Sequence, residues 1–95
     1  MADEFEWDAA KATANLRKHG VAFADAQRVF RDVFAVHYFD VDGGYGEQRL
    51  IATGAVNGVV LTIVYTERGE GTRLISARKA TKHEQIEYYR NQAQE

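Results

Sequence analysis

Ninety-five residues without cysteine or proline suit one domain with a single modest core, and leave neither disulfides nor thiolate metal sites available. No apolar run approaches the ~20 residues of a membrane span, and the acidic start Met1-Ala2-Asp3-Glu4 has no signal-peptide core, so the chain reads as soluble and cytoplasmic. The net charge of −2 excludes a surface coated in positive charge, but residues 1–48 hold five Lys/Arg against nine Asp/Glu and residues 49–95 hold seven against five; a nucleic-acid surface is therefore expected only as a local patch on the second half.

Phe5 and Trp7 alternate with acids between Glu4 and Asp8. That pattern predicts a short extended lead-in that buries two aromatics, with Asp8 suited to cap the helix that follows. Ala9 to Lys18 is rich in helix formers, and His19-Gly20 supplies the stop, since Gly20 tolerates the left-handed conformation at a helix C-terminus. Ala9, Ala12 and Leu16 recur at helical spacing and predict the buried face. A second, shorter helix is expected over about Ala24 to Arg31, with Phe23, Ala26, Val29 and Phe30 turned to the core.

From Val33 the period changes. Val33 to Asp40 is β-branched and aromatic, Asp42 to Gly46 is a turn region, and Gln48 to Val56 makes a second strand. Asn57-Gly58 is a strong hairpin signal because both residues accept positive φ. Val59 to Thr66 is nearly continuous apolar and so predicted central. Glu67 to Gly71 turns the chain into a fourth strand, Thr72 to Arg78. Strict alternation there places Arg73, Ile75 and Ala77 on one face and Leu74, Ser76 and Arg78 on the other. Thr81 and Glu84 have the T-x-x-E spacing of a capping box. The last helix, about Lys82 to Gln94, is predicted to turn Ile86, Tyr89 and Ala93 inward and Glu87 and Arg90 outward. The expected class is α+β: two N-terminal helices, a four-stranded antiparallel sheet and a C-terminal helix, with one sheet face left open.

The stretch Thr72–Glu84 concentrates chemistry. Arg73, Arg78, Lys79, Lys82 and His83 lie on a strand that runs into a helix N-terminus, where cations and free N–H groups both favour an anion. A solvated sheet edge beside a well-capped helix would carry the same residues. An open face bearing Arg49 with either Arg73 or Arg78 would suit phosphate.

These residues also carry a resemblance. Trp7-Asp8, Lys11, Asn15, Lys18-His19-Gly20-Val21 and Phe23, then Glu47-x-Arg49, Thr66-Glu67-Arg68-Gly69 and Arg73 to Thr81, resemble the BrnT family in that order, from Trp7 to about Tyr88. His83 stands where members often carry another cation. The resemblance implies a fold like that of the RelE ribonucleases and an RNA-cleaving inhibitor of translation from a bacterial type II toxin–antitoxin pair. The implied partner is a small BrnA-like antitoxin with a ribbon-helix-helix segment, through which alone operator DNA would be reached.

With no cysteine ligands and no acidic cluster of metal-site spacing, the expected cleavage needs neither metal nor cofactor: the 2′-hydroxyl attacks its own phosphorus, leaving a 2′,3′-cyclic phosphate. Such chemistry needs a base, cations around the phosphorane and a proton source. Arginine suits the second task, because its planar fork stays charged and grips two oxygens. The candidates are Arg49, Arg73 and Arg78 for phosphate, with Arg78 foremost. His19, Glu47 or Glu67 would serve as base or acid, unranked. Lys18, Arg68, Lys79 and Lys82 would hold the RNA backbone. Duller roles compete: Glu47 and Arg49 as a cross-strand pair, His19 as a helix terminator, Arg68 as a solvated turn residue. Two rival functions also fit: a non-enzymatic binding module anchored by Tyr38, Tyr45, Tyr88 and Tyr89, and a degenerate toxin that keeps only its antitoxin surface.

Overall fold

The structure, a computed structural model, describes residues 4–41 and 48–94. In chain order the elements are β1 (Glu4–Glu6), α1 (Ala9–His19), α2 (Phe23–Ala26) running into a 3-10 helix (Gln27–Arg31), β2 (Val36–Phe39), β3 (Leu50–Val56), β4 (Val59–Arg68), β5 (Gly71–Lys79) and α3 (Lys82–Ala93). The sheet order is β1-β5-β4-β3-β2. The predicted antiparallel strands are there, in meander order, with β4 at the centre. Asn57 and Gly58 take φ of 52° and 81°, the left-handed pair that a tight β3–β4 turn requires.

Three expectations need correction. The sheet has five strands and is mixed, because the lead-in Glu4–Glu6 pairs parallel to β5, Glu6 opposite Arg73. Three residues are too few for alternation to announce a strand; Phe5 holds the edge by packing on Phe30, 5.3 Å between ring centres. Next, the second helix is one α turn that tightens into 3-10 geometry. There the chain crosses β3 closely: a Cβ on Gly54 would lie 3.0 Å from Val29 Cγ1. The helices, finally, do not share one face of the sheet. Phe23, Ala26 and Val29 pack with Ala52, Ile63, Tyr65, Leu74 and Ala77 on one side, whereas α3 lays Tyr88 over Val60, Ala80 and Ala55 on the other.

The inner face of α3 differs from the prediction for a related reason. Ile86 and Tyr89 are 45% and 49% exposed, and Ala93 is exposed too, whereas Tyr88 is 3% exposed. Glu84, Tyr88 and Asn91 form the inward stripe, and all three are polar anchors: Tyr88 donates to Asp32 and Asn91 to Phe34 O. A polar stripe is invisible to an apolar-periodicity reading. Glu87 and Arg90 point outward as expected and pair with each other at 3.0 Å.

In α1, Ala12 packs on the core as predicted, but Ala9 and Leu16 are exposed and Asn15 is buried, which turns the inward face away from the predicted one. The reason is the edge of β5. Beyond Arg73 that edge has no strand partner, and the Asn15 carboxamide replaces one, donating to Ala77 O at 2.8 Å while accepting from Ala77 N at 3.1 Å. It also donates to Val21 O at 2.9 Å and so ties down the exit of α1. Removing it strands three buried backbone groups, Ala77 N, Ala77 O and Val21 O. Asn15→Ala is expected to lower unfolding free energy by about 2 kcal/mol, read by urea denaturation; a loss below about 0.5 kcal/mol would show that water replaces the amide.

Candidate functional site

Pleating alone would keep Arg73 and Arg78 on opposite faces of β5. The strand contains a bulge: Leu74 pairs with Tyr65 and Ser76 with Val64, which leaves Ile75 without a cross-strand partner. One inserted residue reverses the alternation beyond it. Leu74 and Ala77 therefore both enter the core, and Arg73, Ser76 and Arg78 share the other face. The predicted face assignment is corrected here, and the correction brings together what the sequence reading had separated.

Cross-strand rows order that face. Glu6 pairs with Arg73 and Arg73 with Thr66. Continuing the β3 register by one residue places Arg49 opposite Thr66, and Asp40 N donates to Arg49 O at 2.9 Å. The row Asp40, Arg49, Thr66, Arg73, Glu6 thus crosses the whole sheet. Four residues along β4, ~13 Å away, a second row holds Val36, Thr53, Thr62 and Arg78. Tyr38, Ile51, Val64 and Ser76 lie between the two.

Each arginine is held by its own carboxylate. Arg73 Nη1 lies 2.8 Å from Glu6 Oε2, and Arg78 forks onto Glu84 at 2.8 and 2.9 Å. Arg49 is held most loosely: Nε lies 3.9 Å from Asp40 Oδ2 and, although buried, makes no hydrogen bond among the described residues. Thr66 Oγ1, in a residue 1% exposed, is likewise without a partner among the described residues. A buried unpaired polar group costs ~1–3 kcal/mol. The accessible donors of the row are the Arg49 and Arg73 guanidiniums on either side of Thr66, each side chain 30% exposed, and these suit an oxyanion.

The second row is fully bonded. Glu84 accepts from both Arg78 amino groups, from Thr62 Oγ1 at 3.0 Å and from Thr81 N at 2.8 Å, the last closing the capping box. The Arg78 bonds, with help from the Thr81 amide and the Thr62 hydroxyl, outweigh burial and hold the Glu84 carboxyl down at about 2. Thr62 continues to Thr53 at 3.0 Å. Burial raises the Tyr38 pKa, and the Glu84 charge adds to the rise. A line of side-chain hydrogen bonds therefore runs from β3 through β4 to α3.

The other sequence candidates scatter. Lys79 and Lys82 are exposed near Arg78, where β5 gives way to α3. Lys18 and His19 end α1, in the layer on the opposite side of the sheet from Arg78. Glu67 is exposed one residue past Thr66, and alternation turns it to the side of Tyr65, whose pKa is raised by burial and by the Glu67 charge. Arg68 ends β4 opposite Gly71. Glu47 and Tyr45 lie outside the described residues. Of the tyrosine anchors, Tyr88 is core, and Tyr38 and Tyr89 are exposed. Sequence reasoning missed Asp40, Glu6 and Thr66 as members of the site; the alternation of Thr62, Val64 and Thr66 against Ile63 and Tyr65 was the available signal.

Among the described residues, no group of three or more His, Asp or Glu stands close enough to hold a metal ion. No helix there is long and apolar enough to cross a membrane. No curated protein matches the chain significantly. The model of one family, described as the ribonuclease toxin BrnT of a type II toxin–antitoxin system, matches residues 7–84. That span begins at Trp7, packed edge-on to Phe23, and ends at Glu84, and it takes in all three arginines of the open face. The chain belongs to the BrnT family of ribonuclease toxins of type II toxin–antitoxin systems.

Proposed function

We propose that the chain cleaves RNA without a metal ion, by attack of a 2′-hydroxyl on the adjacent phosphorus, with Arg49 and Arg73 as the grip on the reacting phosphate. The observation that carries this reading is the row on the open face, where the Arg49 and Arg73 side chains, each 30% exposed, flank Thr66 between them. In the reaction the 2′-oxygen bonds to phosphorus and the bond to the 5′-oxygen breaks. The 2′ proton passes to a carboxylate, and the leaving oxygen takes one from water. Asp40, beside Arg49, is the carboxylate placed for the first transfer. Developing charge on the phosphorane is met by cations already in position, the term that dominates such sites. Arg78 with Lys79 and Lys82 extends the cationic track for the RNA backbone.

As a family member the chain works against an antitoxin, for which we propose a small BrnA-like protein with a ribbon-helix-helix segment; operator DNA is reached only through that partner. Cleavage is assayed on a defined single-stranded RNA, with and without EDTA, and the product ends are identified. The expected ends are 2′,3′-cyclic phosphate and 5′-hydroxyl, formed at the same rate with chelator. A 5′-phosphate product or loss of activity in EDTA would overturn the mechanism. Intact RNA and normal growth on induction would instead mark a toxin that retains only antitoxin binding.

A further inference from the structure

Between β2 and α3 lies a cavity of about 310 Å³, the low end of the ~300–1,000 Å³ typical of small-ligand sites. Val36, Thr53 and the Tyr38 ring make its sheet wall; His83, Glu84 and Glu87 line the helix side, with Tyr88 at the back. It adjoins the arginine face directly, because Glu84 both lines it and grips Arg78. Tyr38, 41% exposed, belongs to the same face as the arginines.

We infer that this cavity takes one unstacked base of the RNA, preferentially guanine, and so sets where the chain cuts. The inference rests on the ribonuclease reading above and adds a substrate preference to it. A single-stranded base placed beside a bound phosphate needs an aromatic platform and a polar group to read its edge. Tyr38 supplies the platform. Glu84 has no capacity left, since its oxygens already serve Arg78, Thr62 and Thr81. Glu87 does: its one hydrogen-bonded partner is Arg90, in an exposed pair at 3.0 Å. An ionised carboxylate only accepts hydrogen bonds. It therefore selects a base edge with adjacent donors, and guanine alone offers a ring N–H beside an exocyclic amine. Uracil sets its single N–H between two carbonyls, which a carboxylate repels. The His83 imidazole, at the mouth, offers a donor for the guanine oxygen. Glu87 lies beyond the residues that the family model matches.

The test separates reading from cutting. Binding of 2′-O-methyl tetranucleotides, which cannot be cleaved, is measured with guanine or uracil at one position, and cleavage sites are mapped on a mixed-sequence RNA. Wild type is expected to prefer the guanine oligonucleotide and to cut beside guanine. Tyr38→Ala should weaken binding ~5–150-fold, Tyr38→Phe should keep it, and Glu87→Gln should remove the preference while binding persists. Both positions are exposed, and circular dichroism confirms the variants are folded. Guanine-selective binding without cleavage would support the cavity and sink the ribonuclease reading. Cleavage with no base preference, or with one indifferent to both variants, would overturn the cavity and leave that reading standing. Variants that lose only antitoxin binding would assign the cavity to the protein partner and overturn the inference.

Discussion

Arg49→Ala and Arg73→Ala each reduce RNA cleavage by ~10²–10³-fold, with thermal stability nearly unchanged. On the proposed mechanism the loss is large because each side chain meets the additional charge that develops on the phosphorane. Stability is spared because the Arg73–Glu6 pair is substantially exposed and Arg49 makes no hydrogen bond to Asp40; such pairs contribute ~0–1 kcal/mol. Thr66→Val sharpens the test. It removes a buried hydroxyl that has no partner, in a central strand that suits valine. The variant is therefore expected to be more stable than wild type by ~1 kcal/mol and to cleave at the wild-type rate, because a hydroxyl this buried does not reach the phosphate. The salt dependence of RNA binding should also flatten, by ~0.7 in the log–log slope per arginine removed. Wild-type rates in both arginine variants would end the phosphate assignment. Arg78→Ala is a poorer probe, since it also frees Glu84 from its clamp and confounds stability with function.

The legible part of this molecule was whatever depends on local chemistry. Asn57-Gly58, the T-x-x-E box, the Asp8 cap and the glycine after His19 act within a few residues, and all four appear as read. Three of the arginines later found on one face were also named. What the sequence hid was every feature decided by a distant partner. The bulge at Ile75 is a register choice between β4 and β5, and no pattern within Thr72–Arg78 distinguishes it from a regular strand. Asn15 looks like a solvent residue on a helix until β5 presents an unpaired edge to it. Tyr88 reads as an aromatic anchor for a partner until Asp32 is found beneath it. Leu16, Ile86 and Tyr89 took the core positions in the reading because apolar periodicity has no means of weighing a hydrogen-bonded polar stripe.

Asp32→Ala should lower unfolding free energy by about 3–4 kcal/mol, a large fraction of the ~5–15 kcal/mol that a domain commands. Its carboxylate accepts from Phe34 N at 2.9 Å, from Ala55 N at 2.8 Å and from Tyr88 Oη at 2.5 Å, so it joins the end of the 3-10 helix, β3 and α3 at one point. Burial acts to raise its pKa, but those three bonds prevail and lower it. Burial, then the bond to Asp32, pushes the Tyr88 phenol up to about 12. The pH profile follows from these directions. A carboxyl whose folded pKa is depressed stabilises the fold above its unfolded value, and that contribution fades as pH falls. A phenol whose folded pKa is raised stabilises below its unfolded value and fades as pH rises. Stability should therefore be flat from roughly pH 5 to 9. It should decline on the acid side as Asp32 and Glu84 protonate, Glu84 between its ordinary 4.5 and about 2, and on the alkaline side between about 10 and 12. After allowance for solvent screening, the Glu84 share is about 1–2 kcal/mol. Urea denaturation across that range, on wild type, Asp32→Asn, Glu84→Gln and Tyr88→Phe, resolves the parts. The two amides should each flatten the acid limb alone, and Tyr88→Phe should flatten the alkaline limb alone without removing it, since the raised Tyr38 and Tyr65 phenols also contribute there. An acid limb unchanged in both amide variants would show that neither carboxylate organises the fold as its hydrogen bonds indicate.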